Sequence, residues 1–124
     1  MDIRHIDQVP PFTTKDGSEI RELLAYRNSC IAKQSLAEAR LPPGASTTPH
    51  YHPNTEEIYY ILAGVGRVQL ADELRDVGPG DAIAIPPGLV HQITNVGAQT
   101  LKFLCCCAPC YEHTDTVLVE TPGV

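Results

Sequence analysis

The chain has 124 residues, of which 43% are hydrophobic, and it carries a formal net charge of −6. This length suits one hydrophobic core, and no stretch approaches the roughly 20 consecutive apolar residues that cross a bilayer. The negative charge would repel the phosphates of nucleic acids and an anionic membrane surface, so neither is an expected partner. Residues 1–5 lack the basic and apolar regions of a signal peptide, so we expect a cytoplasmic protein.

Eleven prolines and nine glycines divide the chain into short runs rich in Val, Ile, Tyr and Thr. Short strands between frequent turn residues are typical of an all-β sandwich or barrel. Residues 19–40 also suit an amphipathic helix, but Asn28-Ser29 interrupts them and residues 41–44 end them, so we predict two strands there. The later predicted strands are 57–62, 66–70, 82–85, 91–95, 101–107 and 117–120, and 121–124 should be a loose end.

A cluster of metal-ligating residue types follows the two predicted N-terminal strands. His50 and His52 are two residues apart, so on a strand both imidazoles project from one face and can reach one point. Residues 53–55 are a predicted tight connection to the next strand, which carries Glu57. We therefore expect the Glu57 carboxylate to meet the two histidines across a strand pair.

A third imidazole, His91, begins the strand after the predicted turn Pro86-Pro87-Gly88. Burying three imidazoles and a carboxylate around one point without a cation costs desolvation free energy, whereas a divalent ion satisfies all four groups. Three nitrogens and one oxygen suit Fe(II), Mn, Ni, Co, Cu or Zn, and the sequence does not choose among them. The set leaves one or two positions for water, substrate or dioxygen. We predict one divalent metal ion bound by His50, His52, Glu57 and His91.

The spacing of these residues resembles the two motifs of the cupin superfamily. The first motif comprises a glycine, His-x-His, a glutamate and a second glycine, matched by Gly44, His50, His52, Glu57 and Gly64. The distance to Gly64 selects Glu57 as the metal-facing carboxylate, so the neighbouring Glu56 should face away. The second motif is matched by Gly80, Pro86, Gly88, His91 and Asn95. The motif glycines are expected at turns that need a positive φ, which only glycine adopts without a steric penalty.

The resemblance covers about residues 40–96 and implies a double-stranded β-helix, the jelly-roll barrel of cupins. We expect a single domain over 1–124, with N-terminal strands at 1–40, a barrel core with both motifs at 41–107 and a C-terminal segment at 108–124. The resemblance to small cupins also implies a homodimer. The strands before residue 40 are the expected dimer contact, because the unpaired backbone groups of an exposed edge strand can pair with another chain unless they are covered.

Four further features are candidates for a role near the metal. Tyr59 is a candidate catalytic residue that orients substrate or donates a proton, with a core aromatic as the alternative. His113 is a candidate acid or base, although it also suits a plain surface loop. Arg21 would anchor a substrate carboxylate if it faced the cavity, and is otherwise a solvated surface charge. An apolar lining, which would favour a small organic substrate, is expected from Ile61, Ile83, Ile85 and Ile93.

The five cysteines do not have the pattern of a secreted disulfide framework, because three are adjacent and Cys30 stands alone. Cys107 and Cys110 have the Cys-x-x-Cys spacing of redox or zinc sites. Packing is the favoured interpretation, because strand alternation places Cys105 and Cys107 on one face and Cys106 on the other. A cysteine could alternatively line the pocket and tune access to the metal.

The metal set predicts an enzyme that acts on a small organic substrate, and an Fe(II)- or other divalent-metal oxygenase is the first hypothesis. A redox-neutral isomerase, cyclase or lyase, with the metal as Lewis acid, is the alternative within the enzymes. A non-catalytic cupin that binds a sugar or another small molecule is the alternative outside them. The motifs specify a ligand set and not a chemistry, so substrate and reaction stay open.

Overall fold

The computed structural model describes residues 1–119, and its regular structure is almost entirely β-strand. The strands are β1 (Phe12–Thr13), β2 (Glu19–Leu24), β3 (Ser35–Leu41), β4 (His50–Tyr51), β5 (Glu56–Ala63), β6 (Gly66–Leu70), β7 (Glu73–Val77), β8 (Ala82–Ile85), β9 (His91–Asn95), β10 (Leu101–Ala108) and β11 (Val117–Leu118). The helices found in this part of the chain are two single 3-10 turns, Ile6–Gln8 and His113–Asp115. Neither is long enough to cross a membrane.

The strands form two antiparallel sheets that face each other. The six-stranded sheet has the order β1-β2-β3-β10-β5-β8, and the five-stranded sheet has the order β11-β4-β9-β6-β7. From β3 onward the chain changes sheet at every connection except the one between β6 and β7. This is a jelly roll, so the predicted fold is confirmed.

Strand β5 shows how alternation divides the molecule into an inside and an outside. Glu57, Tyr59 and Ile61 are buried, whereas Glu56 and Ile58 are exposed, as the two-residue period of a strand requires. The expectation that Glu56 faces away is therefore confirmed.

The barrel interior is apolar at one end and polar at the other. Ile61, Ile93, Leu101 and Phe103 are at most 1% exposed and pack together in the core. Burying each such side chain contributes roughly 1.5–3 kcal/mol. On the paired strands β5 and β10, Ile61 lies opposite Phe103 and Glu57 lies opposite Cys107. Glu57 is therefore four residues along β5 from this apolar core.

The predicted strands agree with the structure, which adds two strands that were not predicted, β1 and β7. Residues 19–40 form the two strands β2 and β3, because the pairing of Ile20 with Ala39 buries both side chains. Strand β7 is missing from the prediction, because its residues are exposed or half-buried and three of them are charged, a composition depleted in strands. The final prediction, 117–120, is met by Val117–Leu118, and residues 120–124 lie outside the described range.

Gly64 has a conformation and surroundings that only glycine tolerates. Its φ is +86°, and a Cβ there would lie 2.8 Å from the Thr100 carbonyl oxygen and 2.9 Å from the Leu101 Cα. The motif glycines Gly44, Gly80 and Gly88 also have positive φ, as expected. At Gly64 the turn therefore closes against β10 at the apolar end of the barrel.

Candidate metal centre

Three imidazoles converge at the polar end of the barrel. His50 on β4 pairs directly with His91 on β9, and their ring centroids are 4.2 Å apart. His52 follows the end of β4 by one residue, and its ring lies 5.1 Å from that of His50. One ring nitrogen of each histidine lies within 4.8 Å of the other two, and all three side chains are buried. This spacing allows one cation to contact all three rings.

Glu57 approaches the histidines from the opposite sheet. β4 belongs to the five-stranded sheet and β5 to the six-stranded sheet, so the expectation of a contact across a strand pair is wrong. The short connection crosses between the sheets because Asn54 and Thr55 donate their backbone N–H groups to the Asp115 carboxylate. Glu57 nevertheless reaches the histidines, with its Oε1 3.4 Å from His52 Nε2 and 3.5 Å from His91 Nε2.

Backbone carbonyls fix the orientation of each imidazole. The Nδ1 atoms of His50, His52 and His91 lie 2.7, 3.1 and 3.0 Å from the carbonyl oxygens of Thr48, Asp115 and Leu89. A ring that donates from Nδ1 keeps its Nε2 lone pair free, the tautomer that a metal-binding histidine requires. The three Nε2 atoms are thereby preset as acceptors around one point.

The electrostatics of the cluster suit a cation. Burial raises the pKa of Glu57, but contacts with His52 and His91 outweigh it and bring the pKa to about 2, so the side chain is a carboxylate at neutral pH. Burial lowers the pKa of His50. Burial also lowers the pKa of His52, but the contacts of His52 with Glu57 and Asp115 outweigh it and raise that pKa. The site thus combines one buried anion with three imidazoles.

Two atoms in this cluster have unsatisfied hydrogen-bonding capacity. Within residues 1–119, Glu57 Oε1 and His91 Nε2 are the buried side-chain polar atoms that have no hydrogen-bond partner. An unsatisfied buried polar group costs roughly 1–3 kcal/mol, and a divalent ion between these atoms would satisfy both. The donor set therefore fits a metal of the type that binds imidazole and carboxylate.

Cys107 contacts the other carboxylate oxygen of Glu57. Its Sγ lies 3.2 Å from Glu57 Oε2, on the strand paired with β5. Burial and then the charge of Glu57 raise the pKa of the Cys107 thiol, so the thiol stays protonated and donates. Cys105 and Cys107 share one face of β10, as predicted, and that face forms part of the cavity wall, which was the alternative to simple packing. All five cysteines are free.

We expect Cys107→Ala to lower metal affinity by about 10-fold, because loss of a partner behind a metal ligand typically costs 10–100-fold and a thiol is a weak donor. Cys107→Ser keeps a donor and should bind metal as the unmodified protein does. Competition with a chelator measures both affinities. Cys106→Ala, on the opposite face of the same strand, is the control, and equal losses in the Cys106 and Cys107 variants would contradict the contact.

The cavity beside the cluster is walled mainly by strands of the six-stranded sheet. Its apolar surface comes from Ile20, Ala37, Ala39 and Phe103. The expected lining by Ile61, Ile83, Ile85 and Ile93 is wrong, because none of the four lies in the wall of this cavity. Their side chains pack in or against the apolar core instead.

Tyr59 lies in the cavity wall, 3% exposed, with its ring 6.0 Å from that of His91 and 4.8 Å from that of Phe103. Burial, and then the Glu57 charge, raise the pKa of its phenol, so the group is a donor. The sequence did not indicate Tyr111, whose ring also lines the cavity, 6.1 Å from that of His52. Burial raises the pKa of Tyr111 to about 12.

Two other predicted residues lie outside the cavity wall. His113 is exposed, and its Nδ1 lies 3.3 Å from the Tyr111 hydroxyl; a catalytic role for it stays a prediction. Arg21 pairs with Glu19 at 2.8 Å, while its neighbours Ile20 and Glu22 line the cavity. Strand alternation turns Arg21 to the other face, so the condition for anchoring a substrate carboxylate, that Arg21 face the cavity, is not met.

The sequence also did not indicate a role for Asp16, which was interpreted only as part of an Asp-Gly turn. The structure places this residue in the cavity wall with Oδ2 3.5 Å from His50 Nε2. No local pattern distinguishes an Asp that caps a turn from one whose carboxylate also faces a distant histidine.

Comparisons with known proteins agree with this geometry. A family model described as a cupin domain matches residues 37–107. An uncharacterized protein of Methanocaldococcus jannaschii is 50% identical over 92% of this chain and 91% of its own length. An oxalate-binding protein of Thermotoga maritima is 38% identical over 73% of this chain and 74% of its own length. The crystal structure of a predicted oxalate decarboxylase from Thermotoga maritima has a TM-score of 0.77 and 26% identity, over 87% of this chain and 99% of that one.

Proposed function

Because this chain belongs to the cupin domain family, we propose that it is a metal-dependent enzyme acting on a small organic substrate. One divalent ion would be held by His50, His52, Glu57 and His91. The observation that carries the proposal is the convergence of three oriented histidines on a buried carboxylate oxygen that has no hydrogen-bond partner among the described residues. A bound ion would act as a Lewis acid on a substrate oxygen or bind dioxygen.

The charge of the cavity favours an uncharged substrate. Of the described residues that line it, Asp16, Glu22 and Glu57 are carboxylates and none is Lys or Arg. Glu22 is paired with Arg27 at 2.9 Å, which leaves the other two facing the histidines. The names of the Thermotoga relatives point to oxalate. The carboxylates of the cavity would repel this dianion, and only the positive charge of the metal would oppose that repulsion. We therefore propose a neutral molecule with hydroxyl or carbonyl groups.

The reaction that the cavity supports best is redox-neutral. The phenols of Tyr59 and Tyr111 lie in the wall on either side of the histidine cluster, where they can orient a substrate oxygen or donate a proton to it. An isomerase, cyclase or lyase needs such groups. The oxygenase expected from the sequence stays the second candidate, supported by the coordination positions that the four ligands leave free.

Turnover with and without oxygen separates the two reaction classes. The metal-loaded protein would be incubated with a panel of neutral hydroxy-carbonyl compounds and with oxalate, in air and under strict anaerobiosis, and products detected by mass spectrometry. We expect equal turnover of a neutral compound in both, and a fall of about 10²–10⁴-fold in Tyr59→Phe. Turnover only in air would support the oxygenase. A compound that binds tightly and is returned unchanged would support a binding protein instead.

We also propose that two copies of the chain associate. The outer face of β5 exposes Ile58, Tyr60 and Leu62 at 50%, 42% and 39%, and an apolar stripe on a sheet face is typical of a contact surface. The edge strand β1, in the N-terminal segment expected to form the contact, lies towards the other end of the same sheet, with β2, β3 and β10 between it and β5. Sedimentation at micromolar concentration tests this, and the mass of a single chain would contradict it.

A further inference from the structure

The turn between β1 and β2 carries a carboxylate whose two oxygens have different surroundings. Asp16 Oδ1 accepts hydrogen bonds from Thr14 Oγ1 at 2.5 Å, from the Ser18 backbone N–H at 2.9 Å and from Ser18 Oγ at 2.7 Å. Within residues 1–119 no hydrogen bond is made to Oδ2, which lies 3.5 Å from His50 Nε2. Three donors on one oxygen thus fix the direction in which the other oxygen points.

The turn itself is attached to the strand that carries His50. The Thr48 backbone N–H donates to the Asp16 carbonyl oxygen at 2.7 Å, and Lys15 Nζ donates to the Thr116 carbonyl oxygen at 2.7 Å. Thr14 and Ser18, which hold the carboxylate, are 8% and 3% exposed. The Asp16 side chain, 13% exposed, is therefore positioned by buried groups and not by solvent.

The facing atoms of Asp16 and His50 are both acceptors. His50 directs Nδ1 at the Thr48 carbonyl oxygen at 2.7 Å, which leaves a lone pair on Nε2. A carboxylate oxygen opposite that lone pair is favourable only with a proton or a metal cation between the two atoms. The 3.5 Å separation matches those of 3.4 and 3.5 Å between Glu57 Oε1 and its two histidine nitrogens.

We propose that Asp16 supplies a second carboxylate oxygen to the metal ion, on the His50 side of the site. This inference rests on the proposed metal centre and extends its ligand set to three nitrogens and two oxygens. Glu57 contacts His52 and His91, whereas Asp16 contacts His50, so the two carboxylates approach the histidines from different sides. A second hard oxygen ligand favours Mn(II) relative to Zn(II), which is satisfied by fewer ligands.

The variant Asp16→Asn tests the proposal with little change to the turn. The asparagine carbonyl can still accept from Thr14 and Ser18, while its amide nitrogen replaces the oxygen that faces His50. Mn(II) and Zn(II) affinities of the full chain would be measured by chelator competition. We expect Mn(II) affinity to fall at least 10-fold and Zn(II) affinity to fall less.

Two further variants serve as controls. Asp76→Asn removes a surface carboxylate that pairs with Arg67 on the neighbouring strand of the five-stranded sheet, and should change neither affinity. Ser18→Ala removes one donor to Asp16 Oδ1, and should weaken Mn(II) binding by less than Asp16→Asn does. Thermal unfolding of the metal-free variants would identify any loss caused by a damaged fold.

The outcomes separate this inference from the proposed function. Mn(II) affinity within twofold of the unmodified protein in Asp16→Asn would overturn the role of Asp16 and leave the four-residue centre intact. Equal losses for Mn(II) and Zn(II) would overturn the preference that the second oxygen is proposed to create. If the unmodified chain binds neither metal, the metal centre itself is wrong.

Discussion

Glu57→Gln is expected to lower the affinity for a divalent metal strongly. Loss of a residue that only hydrogen-bonds a metal ligand costs roughly 10–100-fold in affinity, and loss of the ligand itself should cost more. Glu57 is buried, its pKa is held at about 2, and its Oε1 faces two histidine nitrogens. Glutamine keeps the size of the side chain but removes the one buried negative charge in contact with His52 and His91. A chelator-competition titration of the purified variant measures the loss.

The neighbouring residue provides a matched control. Glu56 carries the same side chain one position earlier on β5 but is exposed on the opposite face. Glu56→Gln should bind metal with unchanged affinity and unfold at the same temperature. If Glu57→Gln binds metal as tightly as the unmodified protein, Glu57 is not a ligand and the site reduces to the three histidines.

Removing the metal is expected to lower the thermal stability of the whole domain. A ligand that binds only the folded state, present at a thousand times its dissociation constant, stabilises that state by about 4 kcal/mol. For a chain of this length the unfolding temperature should fall on the order of 10 °C. The physical reason is local: without a cation, Glu57 Oε1 and His91 Nε2 remain buried with no hydrogen-bond partner.

Circular dichroism melts before and after chelation, and again after metal is added back, measure this difference. His50→Ala should show no metal-dependent shift, because it removes one of the converging nitrogens. Identical melting temperatures with and without metal in the unmodified chain would show that no ion is bound by the folded state at the concentrations used.

The residues of the proposed site follow from the sequence because their arrangement is mostly local. His50 and His52 share a face through the two-residue period of an extended chain, and the same period separates Glu57 from the exposed Glu56. His91 follows from the resemblance of its motif. Membership of two different sheets does not follow, because no local pattern states whether β5 pairs with β4 or crosses to face it.

The cavity wall is less predictable than the ligands. The isoleucines that line the cavity cannot be identified without the register between strands. That register pairs Ile61 with Phe103, and the Ile61 side chain packs in the core. Asp16 is predictable as a turn residue, but its approach to His50 depends on a hydrogen bond between residues 32 positions apart, from Thr48 to Asp16. Long-range contacts of this kind are set by packing and not by local spacing.

Elemental analysis of the purified chain, together with its His52→Ala and His91→Ala variants, tests the metal centre most directly. We expect about one divalent transition-metal ion per chain as isolated, and a loss of most of that metal in either variant. Metal content that is unchanged by both substitutions would contradict the site.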